Sequence, residues 1–366
     1  MRASLVLILL FAAIIYGRFN GDLSSVAHRT KYLSPDDPSS TMSLREADLT
    51  EDEVDVLIQQ SFEPTSEIPL SSLYLSQVFM HSSVRAKLLA AAVGESSPVH
   101  WLSMAHCHLT ADDLKSCLVN ASSVSNTLKV LDVSFNTLNN NALRTLSQLV
   151  CRLTGLEILS CDGIQMKAEN LRFIAQAARR HPCFSRISLS FCGLEDAAAT
   201  QILTIFKANR NISHVDLSSN KFSPEGFSEL FDGLKGGIGS NLIKLEISFN
   251  NIGDLGVLAL TQAINLGHLS RLEELHVRDI RASPDSVVQL IESTTKLSNL
   301  TVLDFSGNDI LSTRSKKEKG RKIKGVKVPL QLGKALDSLN QHFSDAFASL
   351  IASSGGVEHS HKIQGG

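Results

Sequence analysis

Three histidines fall close together, at His100, His106 and His108, and six cysteines are spread between residues 107 and 192. Imidazole and thiolate hold zinc when three or four of them converge on one point. His106 and His108 would share one strand face, but no carboxylate or thiolate on that face completes a set. None of Cys107, Cys117, Cys151, Cys161, Cys183 and Cys192 belongs to a CxxC pair. An even number of cysteines is compatible with disulfides or with free thiols packed as small hydrophobes. The sequence also has no nucleophile elbow, Walker loop or zinc-protease helix. Gly236-Gly237-Ile238-Gly239 lies between a helix and a strand, the wrong context for cradling phosphate. We therefore expect no catalytic residue, metal, cofactor or small-molecule substrate.

What remains are side chains suited to gripping another macromolecule. Trp101, the only tryptophan, lies beside Tyr74 and His106. Phe135, Phe191 and Phe249 recur in equivalent sequence contexts. Lys244, Glu246, Glu274, His276, Arg278 and Asp279 supply both signs of charge within a short stretch. Exposed aromatic anchors and mixed charges suit a protein partner better than a polyanion. Half-covered rings and a solvated sheet face are the blander account of the same residues.

These residues share a face only if something repeats, and the sequence does. The segment LKVLDVSFNTL from Leu128 returns as ISHVDLSSNKF from Ile212, LIKLEISFNNI from Leu242 and LTVLDFSGNDI from Leu300. Weaker copies begin at Val99, Leu156, Phe184 and Leu272, and two degenerate ones contain Leu73 and Met42. Successive first strand residues Leu102, Leu131, Leu159, Ile187, Val215, Leu245, Leu275 and Leu303 are spaced 29, 28, 28, 28, 30, 30 and 28 apart. Ten repeats of 28–31 residues follow. Each pairs a short strand with a helix whose apolar residues recur every three to four positions, as in Ala142, Leu143, Leu146, Leu149, Val150 and in Leu255, Leu258, Ala259, Leu260, Ala263.

The predicted fold class is α/β: a solenoid bent into a horseshoe, with a parallel sheet on the concave side and helices on the convex side. Phe135, Phe191 and Phe249 then stand on alternate repeats, about 10 Å apart for strands stacked about 4.8 Å apart. The position after the phenylalanines reads Cys107, Asn136, Ile164, Cys192, Asn220, Asn250, Ile280 and Asn308. Asparagine there can satisfy backbone groups at the turn. Isoleucine cannot, so irregular turns are expected at Ile164 and Ile280.

Repeats of this length with a full helix resemble the ribonuclease-inhibitor-like class of leucine-rich repeats, over roughly Met42 to Ile310. A fainter likeness is to the repeat domain of the CARMIL family. It rests on LSFCGLEDAAATQIL from Leu189, SSNKFSPEGFSEL from Ser218, and a basic stretch followed by Val328-Pro329 and a Phe-containing helix. The first resemblance implies a protein-binding scaffold. The second implies regulation of actin capping, and relatives of the class also regulate small GTPases.

The flanks add further expectations. Residues 1–27, with one arginine ahead of an apolar run, read as a signal peptide or signal anchor, followed by a linker at 28–40. The repeats occupy 41–312. A basic loop at 313–328 follows, whose residues 314–327 could touch an anionic membrane or polyanion, making a membrane-associated adaptor an alternative. Leu332, Leu336, Leu339, Phe343, Phe347 and Leu350 place a capping helix at 329–352, and 353–366 reads as a disordered tail. The N-terminus points to the secretory pathway or a membrane anchor, and the cysteines point to the cytoplasm. Net charge is −2, which gives no global attraction to nucleic acid.

Overall fold

The computed structural model describes residues 41–62, 69–120, 126–181 and 183–308. The predicted N-terminal segment, its linker, the basic loop, the capping helix and the tail lie outside them.

Among the described residues, ten strands form one parallel sheet in strict chain order. They are β1 (Thr41–Arg45), β3 (Ser72–Ser76), β5 (Trp101–Ala105), β6 (Val130–Asp132), β7 (Ile158–Ser160), β8 (Arg186–Ser188), β9 (His214–Asp216), β10 (Lys244–Glu246), β11 (Glu274–His276) and β12 (Val302–Asp304). Two short strands, β2 (Asp48–Leu49) and β4 (Phe79–Met80), pair with each other behind it. Each strand of the large sheet is followed by a helix, up to β11: α1 (Glu51–Ser61), α2 (Ser82–Val93), α3 (Ala111–Asn120), α4 (Asn140–Val150), α5 (Leu171–Ala178), α6 (Ala198–Ala208), α7 (Pro224–Asp232), α8 (Gly253–Asn265) and α9 (Pro284–Thr294).

The register follows the sequence repeat. Leu73, Leu102, Leu131, Leu159, Ile187, Val215, Leu245, Leu275 and Leu303 stand directly side by side. From Leu73 to Leu275 none is more than 4% exposed. Two residues on, Leu75, Met104, Val133, Cys161, Leu189, Leu217, Ile247 and Val277 are buried too, because alternate side chains of a strand point the same way. Helices need about 8–10 Å between axes whereas strands need about 4.8 Å, so the stack bends with the sheet inside.

Helix starts are encoded locally. Thr50 and Glu53 form a reciprocal capping box at α1. Asn139 accepts the Ala142 amide at 3.0 Å. Ser223-Pro224 and Ser283-Pro284 place a capping hydroxyl ahead of proline at the first helical position of α7 and α9. All the predicted inward residues of α4 are buried, but Leu255 and Leu258 of α8 are 44% and 47% exposed. The apolar run of α8 nearly encircles the helix, and its buried residues are Gly253, Gly256, Val257, Ala259, Leu260, Ala263 and Ile264.

The asparagine row acts as expected. The Asn136 amide donates to Met104 and Val133 carbonyls, both at 2.8 Å, and its oxygen accepts the Leu109 amide at 2.9 Å. Asn220, Asn250 and Asn308 repeat the pattern of donors to two carbonyls. Cys192 substitutes with its thiol, 3.1 Å from the Cys161 carbonyl. The two isoleucines differ. Ile280 is followed by a left-handed residue, Arg281 at φ 56°, as Cys107 and Cys192 are by His108 and Gly193. Its own amide is held by Asn308 Oδ1 of the next repeat. Ile164 shows no such second left-handed step. There Gly163 supplies the turn at φ 69° and the predicted irregularity is absent.

Candidate binding face

One residue per repeat, immediately after the strand and its buried pair, takes a left-handed backbone. These residues are Glu46, Gln77, His106, Phe135, Gly163, Phe191, Ser219, Phe249, Asp279 and Gly307, with φ between 45° and 76°. Each amide from Glu46 to Asp279 donates to a carbonyl of the next repeat: Phe135 to Asp162 at 2.6 Å, Phe191 to Ser218 at 3.1 Å, Phe249 to Arg278 at 2.7 Å. The ladder of the sheet therefore continues past the strands and locks this row. Left-handed backbone costs a bulky L-residue roughly 1–2 kcal/mol, and glycine or asparagine carries it more cheaply. Three of the ten positions nevertheless carry phenylalanine. Phe135, Phe191 and Phe249 are 44%, 57% and 48% exposed.

The remaining predicted aromatics divide into two groups. Tyr74 and Trp101 face each other with ring centroids 5.7 Å apart, and burial raises the Tyr74 pKa despite the Ser72 hydroxyl. His106 stacks flat on Phe135 at 4.5 Å. His108 stacks on Phe79 at 5.4 Å. Two of the three candidate metal-ligating histidines are thus committed to rings, and among the described residues no group of three or more His, Cys, Asp or Glu side chains is arranged to hold a metal ion.

The charged residues form a connected network. Lys244 Nζ lies 2.6 Å from Glu274, His276 lies 3.5 Å from Glu274 and 3.6 Å from Glu246, and Arg278 lies 3.6 Å from Asp304. The Arg278 guanidinium also covers Phe249, 5.2 Å from its ring centre. Asp279 belongs to the left-handed row.

Beside them runs a line of carboxylates whose environment the sequence did not disclose. Asp162 accepts the Ser188 hydroxyl at 2.6 Å and the Ser190 amide at 2.9 Å. Burial outweighs those bonds and pushes its carboxyl up to about 6. Burial likewise raises Asp216 and Glu246 against the hydrogen bonds each receives from Ser218 or Ser248. Burial also lowers His214 to about 4, helped by Arg186. The chain thus holds partly desolvated acids in a sheet face that composition alone describes as mixed polar.

Not every side chain on this face is open to solvent. Val130, Ser72 and Ser103 are buried near the Tyr74–Trp101 pair. Ser134, Ser190, Ser218 and Ser248 are buried as well, because their hydroxyls fold back onto the sheet. Ser134 accepts the Asp162 amide and Ser248 the Arg278 amide, both at 3.0 Å. All six cysteines are free thiols. Four are buried, Cys151 is half-buried and Cys183 is exposed.

A family model described as Leucine Rich repeat matches residues 124–147, 208–231, 240–260 and 296–312. Over 82 residues the chain is 33% identical to the Tonsoku-like protein of Mus musculus, an alignment covering 22% of this chain and 6% of that protein. The chain therefore spans only a small part of this curated relative. Among solved structures, a protein from Bacteroides fragilis is similar at 13% identity and a TM-score of 0.44, covering 84% of each chain. The tropomodulin C-terminal domain of Caenorhabditis elegans is similar at 10% identity and a TM-score of 0.35, over 58% of this chain and 97% of that one. The family model reaches the leucine-rich repeat in general and does not single out a subclass. Spacing, strand register and family model agree that this chain is built of leucine-rich repeats.

Proposed function

We propose that the inner, strand-lined face binds a partner protein, with Phe135, Phe191 and Phe249 as anchors. The observation that carries this reading is the three exposed phenyl rings held on left-handed backbone. Stability alone favours glycine or asparagine at such positions. Strain kept at an exposed residue points to a role outside folding. The Tyr74–Trp101 pair extends the aromatic surface toward β3, and the Lys244–Glu274–His276–Glu246 network gives it a polar rim toward β11. Aromatic anchors with a charged surround are how protein interfaces combine affinity with register.

The test compares proteins retained by the immobilised full-length chain with those retained by a variant carrying Phe135→Ser, Phe191→Ser and Phe249→Ser. A partner held by the parent chain and lost from the variant supports the reading. Equal retention, with both proteins folded, contradicts it.

A further inference from the structure

The inner face holds a depression of about 480 Å³, bounded by Phe191, Phe249 and Arg278 and floored by Asp216, Glu246 and the serines between them. Its shape follows from the left-handed row. Where consecutive repeats both carry rings, they stack: His106 and Phe135 lie 4.5 Å apart, one strand spacing. Between Phe135 and Phe191 the intervening residue is Gly163, and Phe135 leans over it, since a Cβ added there would lie 2.3 Å from a Phe135 ring carbon. Between Phe191 and Phe249 the intervening residue is Ser219, too small to fill the gap. The row therefore leaves one slot open, about two strand spacings or 10 Å wide, between two exposed rings.

The floor of the slot is acidic and incompletely partnered. Asp216 takes both of its hydrogen bonds, from the Ser218 amide and hydroxyl, on Oδ1, so Oδ2 accepts none among the described residues. Glu246 takes the Ser248 amide on Oε1, and its Oε2 faces His276 Nδ1 at 3.6 Å, an ionic contact when the imidazole is protonated but not a hydrogen bond. The neighbouring cations are engaged elsewhere, Lys244 with Glu274 and Arg278 with Asp304.

We infer that this slot receives an arginine side chain from the partner, its guanidinium lying between Phe191 and Phe249 and donating to Asp216 and Glu246. A flat cation midway across the gap lies about 5 Å from each ring, within the roughly 6 Å range of cation–π attraction. Guanidinium is planar and donates along two edges, so it can stack and reach both carboxylates; an ammonium is a compact, strongly hydrated charge and cannot stack. The chain itself already uses this chemistry where Arg278 covers Phe249. The inference rests on the inner face being a binding surface and assigns the chemistry of what enters it.

The test uses the full chain and the blocked tripeptide acetyl-Gly-Arg-Gly-amide, with its lysine counterpart as comparison, followed by NMR of the side-chain protons. Ring currents from two phenyl groups predict a saturable upfield shift of the arginine Cδ protons, with the lysine peptide binding several-fold more weakly. Ser219→Phe fills the slot with the residue the row already carries at three positions of similar φ, so it leaves the backbone intact. It should weaken arginine-peptide binding by at least about tenfold, as should Asp216→Asn. No saturable shift, equal binding by Ser219→Phe, or equal binding of the lysine peptide overturns the assignment. The two failures are distinguishable. If partner retention is lost with the triple serine variant but indifferent to Ser219→Phe, the binding face stands and the arginine slot falls. If the peptide binds but the triple variant, which lacks both walls of the slot, retains every partner, the partner-binding face and the partner arginine both fall.

Discussion

The imidazole of His106 and the phenyl ring of Phe135 lie face to face, centroids 4.5 Å apart and planes within 1°. They occupy the same position in successive repeats, on backbones of identical φ, 56°. The solenoid thus converts a sequence period of 29 residues into a spatial period that matches the thickness of a stacked ring. Any side chain placed on this row is held at contact distance from its neighbour, and any small residue leaves a gap of known width.

Phe191 carries left-handed strain with little burial in return, at 57% exposed. Phe191→Asn should therefore leave stability unchanged or raise it, by up to about 1 kcal/mol. Urea denaturation measures this. A loss beyond about 1 kcal/mol would show that the ring belongs to the fold rather than to binding.

Arg85 and Asp113 form a buried ion pair at 3.0 Å between α2 and α3. Asp113 also accepts the Thr110 amide and hydroxyl and the Ser82 hydroxyl, while Arg85 donates to the Met80 carbonyl. Asp113→Ala leaves a buried guanidinium unpaired and should cost about 3–5 kcal/mol. Combining it with Arg85→Met should recover much of that loss. If the double variant is no better than the single one, the pair is not what Asp113 supports.

The turn row is graded by its chemistry. Asn220 donates to two carbonyls and accepts the Leu194 amide at 3.0 Å, whereas the thiol of Cys192 makes only weak donations. Melting temperatures should fall in the order parent, Asn220→Cys, Asn220→Ala, with the alanine variant losing about 1–3 kcal/mol. A cysteine variant melting with or below the alanine variant would show that the thiol contributes nothing at this position.

Asp162 gives a pH signature. Its folded pKa of about 6 lies above the ordinary carboxylate value of 3.8, so the folded state holds the proton more tightly. Its contribution is fully present below about pH 4 and is lost as pH rises through about 6, a change of at most about 3 kcal/mol. Asp162→Asn keeps an oxygen for Ser188 and Ser190 and removes the titration. The stability difference between variant and parent should therefore grow in the variant's favour from pH 4 to pH 7. A difference flat with pH would contradict the buried, destabilised carboxylate.

The framework was legible because its cause is periodic. Leucines 28 to 30 residues apart can share one interior only if strands stack in register, and that alone sets Trp101 against Ser72, diagonal to Tyr74, and Lys244 beside Glu274. What escaped depends on conformation or on distant pairing. Nothing in a Phe-Asn dipeptide announces left-handed backbone at the phenylalanine, since that residue type resists it. Arg85 and Asp113 meet only after two helices are laid side by side. Ser134 and Ser248 read as surface until their hydroxyls find the next repeat's amides. Leu255 and Leu258 looked inward because α8 is apolar almost all round.

The most direct measurement is hydroxyl-radical footprinting of the full chain, alone and with its retained partner bound. Protection of Phe135, Phe191 and Phe249, with Leu255 and Leu258 on the outer helices still reactive, is the predicted result. Protection of the two leucines with all three phenylalanines left reactive would place the partner on the helical side and contradict the account.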